Sequence, residues 1–458
     1  MQVGLDRAQC TGMIFALYLL LIALTILHPF EALAPDLAAY RPALVLSLVV
    51  LGLTVADALR TRRMAAQPRH LLMLAGFMAA IAVSKIMSGW PGGAIPSLVE
   101  FSSPALLFVS SVLVVTDIRR LRATCAVIVL CMVLLSIAGI CAYHYGFMRD
   151  DLVVAEHGAD EDHLVAEPAD VIPAQDTSGA RLWRIHSWGF LSDPNDFSQA
   201  IVMSLPMLMG AWIRRRKLRN LLRVWVPCAL LVYASYLSHS RGAVLGLGVV
   251  MLFGLMRRYG GIRAAILLGL FGVAAIVAGF TGGRGFSSGG ESAGGRIDAW
   301  SEGMQLLRSN PLFGVGYGNF TEHFQLTAHN SFVLCFSELG LIGYFFWVGL
   351  IVLVFRELTQ AAALSAPDSE EKRWAVLLRL SLLGFLTCAW FLSRTYQPTL
   401  YILLAIGISA AHCARSALET GAKEPPPAVR WPLATAQVMF ASIFIVYLIV
   451  RFQYAFVR

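Results

Sequence analysis

Long apolar runs separated by short polar segments dominate the chain. The runs are about 17–22 residues long, the length of helix that spans the hydrocarbon core of a bilayer. We predict thirteen spans, with twelve as the close alternative, near residues 12–29, 42–59, 71–89, 103–117, 123–142, 196–213, 222–238, 242–256, 264–280, 331–355, 375–393, 398–414 and 432–450. Lipid offers the backbone no hydrogen-bond partners, so each span is expected to be helical. The pattern therefore predicts an all-α polytopic membrane bundle of about 12–13 transmembrane helices.

Composition separates this chain from soluble proteins. Apolar residues make up 57% of the chain and charged residues only 14%. A soluble globular domain carries about 25% charged residues. The few charges here also lie mostly between the apolar runs, so we expect the lipid bilayer to be the chain's immediate environment.

Basic residues cluster in alternate segments between the spans. They are Arg60, Arg62, Arg63 and Arg69; Arg119, Arg120 and Arg122; Arg214, Arg215, Arg216, Lys217, Arg219 and Arg223; and Arg257, Arg258 and Arg263. The positive-inside rule places these segments, and with them the N-terminus, in the cytoplasm. The net charge of +8 is thus explained by topology and does not indicate nucleic-acid binding. Two long loops, 146–195 and 281–330, then face the opposite side.

The first long loop is acidic through its middle, residues 150–176, and also contains His157 and His163. A metal site is conceivable there, but no ligand spacing stands out. A solvated polar loop is the favoured interpretation, because such a composition cannot bury enough apolar surface to order itself.

Several arginines lie on the outer side, where the charge rule disfavours them. They are Arg181, Arg184, Arg241, Arg284, Arg296, Arg308 and Arg394. Arginine suits bidentate recognition of phosphate, whereas the alternative interpretation is contact with lipid headgroups at the interface. Arg184, Arg241, Arg296 and Arg394 come from different parts of the chain, and each adjoins a span or a loop motif. We therefore predict that these four form an anion site.

Local motifs accompany these arginines. Residues 193–196 (Asp-Pro-Asn-Asp) have the residue types of a helix start. Ser240, Arg241 and Gly242 join two spans with hardly any loop, and an ionisable residue at that depth is by default a functional candidate. After Arg296, the residues Trp300, Met304 and Leu307 form one apolar stripe, which predicts a helix on the membrane surface or against the bundle.

A glycine-rich turn at 311–320 precedes another span. Gly314, Gly316 and Gly318 alternate, so we expect backbone N–H groups there to be open to a ligand. Asn330 or Ser331 is the expected N-cap of the following helix, whose N-terminus favours anions. His329 lies just before that helix, and its imidazole is able to exchange a proton near neutral pH.

Three ionisable residues fall within predicted spans. Asp57 and Lys85 lie near span ends, from which they are able to reach the interface. Glu338 lies about two turns into its span and is expected to face the bundle or to pair with another group.

The order of these motifs resembles the O-antigen ligase and Wzy polymerase superfamily of bacterial membrane glycosyltransferases. The matching pieces are Gly189 with Pro194, Asn195 and Asp196; Ser240, Arg241 and Gly242; Arg296 with Trp300; residues 311–316 with Asn319 and Phe320; and residues 329–332 with Glu338, Gly340 and Gly343. They cover about residues 184–345. Arg184 stands five residues before Gly189, a longer gap than the pattern has, so Arg181 is a rival for its place.

The resemblance implies a metal-independent, inverting glycosyltransferase that needs no cofactor. Its donor would be a glycan on undecaprenyl diphosphate, presented at the periplasmic face of the bacterial inner membrane, and its acceptor a glycan or lipid hydroxyl. By this resemblance, His329 would be the proton acceptor. Arg184, Arg241, Arg296 and Arg394 would hold the diphosphate, with Gly314, Gly316, Asn330 and Glu338 in support.

The predicted organisation has four parts. N-terminal transmembrane helices cover 1–145, an acidic periplasmic loop covers 146–195, a ligase-like core covers 184–345 with the loop 281–330, and C-terminal transmembrane helices cover 346–458. A ligase is the favoured function, with a Wzy-type polymerase as its alternative. A polysaccharide transporter or flippase is less favoured, because the two halves show no repeat.

Overall fold

The fold is a bundle of long helices, seen in a computed structural model that describes residues 2–38, 40–61, 68–154, 174–175, 181–277, 279–280, 291–421 and 430–456. Its helices are α1 (Gln2–Leu27), α2 (Pro29–Leu33), α3 (Pro35–Ala38), α4 (Pro42–Thr61), α5 (Pro68–Met87), α6 (Ala94–Val114), α7 (Ile118–Tyr145), α8 (Arg149–Leu152), α9 (Pro194–Leu208), α10 (Lys217–Asn220), α11 (Val226–Leu237), α12 (Arg241–Tyr259), α13 (Gly261–Val277), α14 (Glu291–Ser309), α15 (Phe320–His323), α16 (Ser331–Leu364), α17 (Glu370–Ala389), α18 (Pro398–Gly421) and α19 (Pro432–Phe456).

A helix lies at each of the thirteen apolar runs that the sequence predicts to span the membrane. Within the described residues, nine helical segments are long and apolar enough to cross a bilayer, and two more, Thr11–Leu27 and Gly261–Ala275, are apolar but shorter. The polytopic all-α bundle is therefore confirmed. Among the described residues, nine helical segments, rather than twelve or thirteen, have the length and composition of a full span.

The two remaining helices, α9 and α17, differ for separate reasons: α9 has only 15 residues, and α17 carries several charged residues. Nearly every residue of α9 is buried, including Ser198, Gln199 and Ser204, and Gln199 Nε2 donates to the Phe385 carbonyl of α17 at 3.1 Å. Helix α17 begins with four charged residues, 370–373. A helix that is surrounded by protein can carry polar side chains, because neighbouring helices supply the partners that lipid lacks.

Helix α16 forms the centre of the bundle and contacts α5, α14, α17, α18 and α19. It breaks at Gly340, whose backbone is left-handed with φ 62°. The glycine-rich turn 311–318 fills the break. Val315 N and Gly316 N donate to the Ser337 and Glu338 carbonyls at 3.0 and 2.9 Å, and Leu341 N donates back to the Pro311 carbonyl at 2.8 Å.

This junction explains why the sequence places glycines on both sides of it. A Cβ on Gly314 would lie 2.3 Å from the Glu338 carbonyl carbon, and one on Gly340 would lie 2.3 Å from the Leu312 carbonyl carbon. Both residues also have positive φ, which side-chain-bearing residues rarely adopt. The two backbones therefore approach closely only if neither residue has a side chain.

Two short ribbons lie at the ends of the first long loop. Strand β1 (Val153–Val154) pairs antiparallel with β4 (Arg184–Ile185), and β2 (Ala174–Gln175) pairs with β3 (Arg181–Leu182). The β1–β4 pair fixes the segment that bears Arg184 against α7. His157, His163 and most of the acidic stretch 150–176 lie outside the described residues.

We predict that Gly340→Ala destabilises the protein by roughly 2–4 kcal/mol, from the left-handed backbone and the clash with the turn together. The midpoint of thermal unfolding in detergent should fall accordingly. Gly254→Ala is the matched control, because nothing lies within 4 Å of a Cβ at that membrane-helix position. An unchanged midpoint for Gly340→Ala would show that the turn does not depend on this close approach.

Candidate functional site

An ion-pair cluster lies at the N-terminus of α9. Asp193 caps the helix by accepting from Asn195 N at 2.6 Å, with Pro194 in the first turn, so the predicted helix start is confirmed. Arg394, from the segment between α17 and α18, contacts both nearby acids. Its Nε lies 2.5 Å from Asp196 Oδ1, and its Nη2 lies 3.9 Å from Asp193 Oδ2. The capping motif thus also anchors an arginine that is distant in sequence.

Arg184 joins the same helix start to the end of α11. It is 3% exposed; its Nε donates to the Ser238 carbonyl at 2.8 Å and its Nη2 to Asn195 Oδ1 at 3.0 Å. The hydroxyls of Ser198 and Ser238 are also hydrogen-bonded to each other. These contacts give Arg184 a bracing role that the sequence motif did not reveal.

Arg241 is the first residue of α12, and Ser240 is its N-cap. A Cβ on Gly242 would lie in ordinary van der Waals contact with Phe391 Cβ, at 3.8 Å, so the start of α12 packs beside the segment that follows α17. The Cys388 thiol donates to the Gly242 carbonyl at 3.4 Å. The start of α12, which bears Arg241, therefore lies against the C-terminal end of α17, and Arg394 follows α17 in the chain. It also lies beside the ion-pair cluster at the start of α9.

Arg296 lies on α14, one turn before Trp300. The Trp300 indole Nε1 donates to the Ala328 carbonyl at 3.0 Å and its ring lies edge-on to Trp390. Trp300 and Leu307 are buried and Met304 packs against the core, which confirms the apolar stripe and shows that α14 lies on the bundle. Because Ala328 adjoins His329, this hydrogen bond holds the arginine-bearing helix next to the histidine.

His329 stands at the junction of these elements. It is partly buried and has a left-handed backbone with φ 46°, uncommon for a residue with a side chain. Burial lowers the pKa of His329 from 6.5 to about 4, with Arg296 and Arg394 lowering it further and Asp193 opposing them. The imidazole is therefore neutral at neutral pH and can accept a proton. Arg296 and Arg394, which are distant from each other in the sequence, therefore both lie close enough to His329 to affect its charge.

The start of α16 fixes this loop to the Arg394 segment. Asn330 is the N-cap, and its Oδ1 accepts from Phe332 N at 2.8 Å and Val333 N at 3.2 Å. Ser331 Oγ donates to the Leu392 carbonyl at 2.5 Å and accepts from Arg394 N at 2.9 Å. Asn330 thus uses helix amides that an anion would otherwise contact, and Ser331 ties the start of α16 to the Arg394 segment.

The glycine-rich turn 311–318 does not offer the open backbone N–H groups that the sequence predicts. Gly314 N donates to the Asn310 carbonyl at 3.0 Å and Gly316 N to the Glu338 carbonyl, so these amides are not open to a ligand. The Glu338 side chain accepts from Phe320 N at 3.2 Å and from the Tyr396 hydroxyl at 2.8 Å. Gly314, Gly316 and Glu338 therefore fix the 311–320 segment and Tyr396, two residues from Arg394.

Lys85 is buried inside the protein. It is 6% exposed, and its Nζ donates to Asn319 Oδ1 at 2.5 Å. Asn319 Nδ2 in turn donates to the Val315 carbonyl at 3.0 Å. This chain of contacts ties α5 to the glycine turn, and nothing in the sequence names Asn319 as the partner of Lys85.

The structure brings the sequence-predicted residues to one end of the bundle. The charges of Arg296 and Arg394 help to lower the pKa of His329, while Arg184 lies on β4 beside the start of α9 and Arg241 begins α12. Sequence reasoning missed Asp193 and Asp196 as ion-pair partners, since their capping role already explained them. Arg284 and the side chain of Arg181 lie outside what the structure describes. Across the described ranges, no three His, Cys, Asp or Glu residues are grouped as metal ligands would be.

A fold of membrane helices with a polar site of arginines and a histidine at one end defines a multi-pass membrane protein with a candidate anion site. A family model described as O-antigen ligase matches residues 226–348. This part of the chain is similar to the O-antigen ligase family, and the match confirms the resemblance seen in the motif order. Arg241, Arg296 and His329 lie within the matched range, and Arg184 and Arg394 lie outside it. No curated protein matches the chain.

We predict that Arg296→Gln raises the pKa of His329. The Arg296 charge disfavours the imidazolium, so its removal makes protonation less costly and moves the titration midpoint from about 4 toward 6.5. NMR of histidine-labelled protein in detergent would follow the titration. Arg308→Gln, at an exposed position of the same helix, should leave the midpoint unchanged. If both variants shift the midpoint equally, Arg296 has no specific role at the histidine.

Proposed function

We propose that this protein is an O-antigen ligase-like enzyme of the bacterial inner membrane. It would move a glycan from undecaprenyl diphosphate to a hydroxyl of an acceptor glycan or lipid at the periplasmic face. The observation that carries the proposal is the convergence of Arg296 and Arg394 on the neutral imidazole of His329. The O-antigen ligase match over residues 226–348 supports an enzyme of the ligase and polymerase class.

The arginines would serve the leaving group. As the bond between the sugar C1 and the phosphate oxygen breaks, its electron pair stays on the diphosphate, where negative charge builds up. Preorganised guanidinium groups stabilise such charge most effectively in a site that excludes water. Arg241, Arg296 and Arg394 are assigned this role, with Arg184 bracing the helix start beside them. In this proposal, the guanidinium groups supply the positive charge without a metal ion.

His329 would serve the acceptor. The acceptor oxygen forms its bond to C1 as His329 takes the hydroxyl proton, which is general base catalysis. A pKa of about 4 makes the imidazole neutral but weakly basic in the free protein. A bound diphosphate would compensate the charges of Arg296 and Arg394, so its arrival should raise the basicity of His329. The donor would thus help to activate the base.

The stereochemical outcome follows from a single displacement. Attack on the face of C1 opposite the diphosphate inverts the anomeric centre, whereas retention needs a carboxylate nucleophile and two steps. The carboxylates beside Arg394, Asp193 and Asp196, both lie within ion-pair distance of its guanidinium group. We therefore assign them to positioning Arg394 and propose direct, inverting transfer to the acceptor.

The reaction products test the proposed class. Purified protein in detergent, supplied with an undecaprenyl-diphosphate-linked glycan and a lipid A-core acceptor, should yield one transfer per acceptor. A ladder of glycan lengths on the lipid donor would instead identify a Wzy-type polymerase. Absence of any transfer, with donor binding intact and several acceptors present, would contradict both members of the class.

We predict that His329→Ala lowers turnover by roughly 10²–10⁴-fold, the usual contribution of general acid–base catalysis. Donor binding should change little, because the arginines remain. His323→Ala is the matched control, since His323 is an exposed histidine of α15 in the same loop. Near-normal turnover in His329→Ala would remove His329 from the role of base and leave the arginine site to be explained differently.

A further inference from the structure

A cavity lies at the opposite end of the bundle from His329. It has a volume of about 980 Å³ and lies between α7, the end of α9, the start of α11 and the start of α17. The charge pattern of the sequence places this end in the cytoplasm. The ionisable residues that line it are Arg119, Arg122, Arg214, Arg223, Arg373 and Glu370. The proposed transfer reaction uses none of them.

The cavity is strongly cationic. Five arginines and one glutamate, Glu370, line it. Glu370 forms an ion pair with Arg122, whose Nη1 lies 3.3 Å from Glu370 Oε1. Arg373 donates to the Met209 and Trp212 carbonyls at 2.6 and 2.9 Å and so satisfies backbone carbonyls just after the end of α9. In the part of the chain that the structure describes, the exposed guanidinium groups of Arg119, Arg214 and Arg223 have no carboxylate within ion-pair distance.

The other wall of the cavity is apolar. Leu130 of α7 lines it and is 56% exposed, with Val133 one turn further into the membrane. Trp374 forms part of the floor, and its ring lies so close to Gly210 that a Cβ there would be 2.3 Å from it. Trp212 lines the rim and is 41% exposed. Exposed tryptophans are typical of the level at which lipid headgroups lie.

The backbone that carries Arg223 is unusual. Residues Leu221–Trp225 form a π-helical turn, a rare conformation that occurs often at functional sites. Arg223 lies in this turn, between the basic segment 214–219 and the membrane helix α11. The turn therefore adds a second, independent feature to the cationic cavity.

We propose that this cavity binds an anionic phospholipid of the cytoplasmic leaflet. The lipid phosphate would lie among Arg119, Arg214 and Arg223, and an acyl chain would follow Leu130 and Val133 into the membrane. Charge complementarity selects an anionic headgroup, because basic pockets between membrane helices attract such lipids. The apolar wall selects a lipid over a soluble phosphate, which would leave that surface exposed to water.

Native mass spectrometry of the purified full-length protein with added phosphatidylglycerol tests this site. The double variant Arg119→Gln with Arg223→Gln should bind this lipid roughly 30-fold more weakly, the effect of two charges near an anionic lipid. Arg257→Gln with Arg258→Gln removes the same charge from the same end of the bundle, outside the cavity, and should bind normally. Equal loss in both variants would show only a general attraction to the basic face and overturn the proposal.

A second variant keeps the arginines and fills the apolar wall. Ala126 lines the cavity at an exposed position, so Ala126→Trp should weaken lipid binding without disturbing the core. Unchanged affinity in this variant would contradict the acyl-chain wall. Equally tight binding of phosphatidylcholine, or displacement of the lipid by an equal concentration of glycerol phosphate, would contradict the anionic lipid as the occupant.

Discussion

The rest of the structure depends on how the backbone hydrogen bonds are restored where α16 breaks. Inside a membrane an unsatisfied carbonyl or amide costs several kcal/mol, so the interrupted helix needs a partner from the protein itself. The turn 311–318 supplies that partner, and only glycine at positions 314 and 340 permits the approach. Once the turn is seated there, the path of the chain between α14 and α16 is fixed at both ends. His329 lies on that path.

A second layer of constraint is electrostatic. Arg394 is bound by Asp193 and Asp196 at the start of α9, and its backbone is tied to Ser331 at the start of α16. Two helices and one arginine are thus fixed relative to each other before any substrate arrives. Preorganised charge of this kind costs little reorganisation during a reaction, which is the main advantage of a protein site over water. Burial lowers the pKa of His329 most, and the same positive field lowers it further, so the imidazole is neutral at neutral pH.

The distribution of arginine differs between the two ends of the bundle. At the end with His329, the arginines are individually braced, as Arg184 is by Ser238 and Asn195. At the other end they form a cluster, of which Arg119, Arg214 and Arg223 are exposed around a cavity. Bracing suits a site that must hold charges at fixed positions, whereas flexible exposed arginines suit the variable headgroups of a membrane surface. Under the two proposals, the ends of the bundle would use one residue type for different physical tasks.

Sequence by itself determined the membrane bundle, because apolar run length reports directly on bilayer thickness. It also determined which arginines oppose the charge bias and the start of α9, since these are local signals. Tertiary structure alone decided that Asp196 pairs with Arg394 and that Glu338 pairs with Tyr396, partners 198 and 58 residues apart. It also decided that the amides of Gly314 and Gly316 bond to the protein rather than face a ligand. Such pairings depend on how helices pack, and no periodicity along the chain encodes which helices become neighbours.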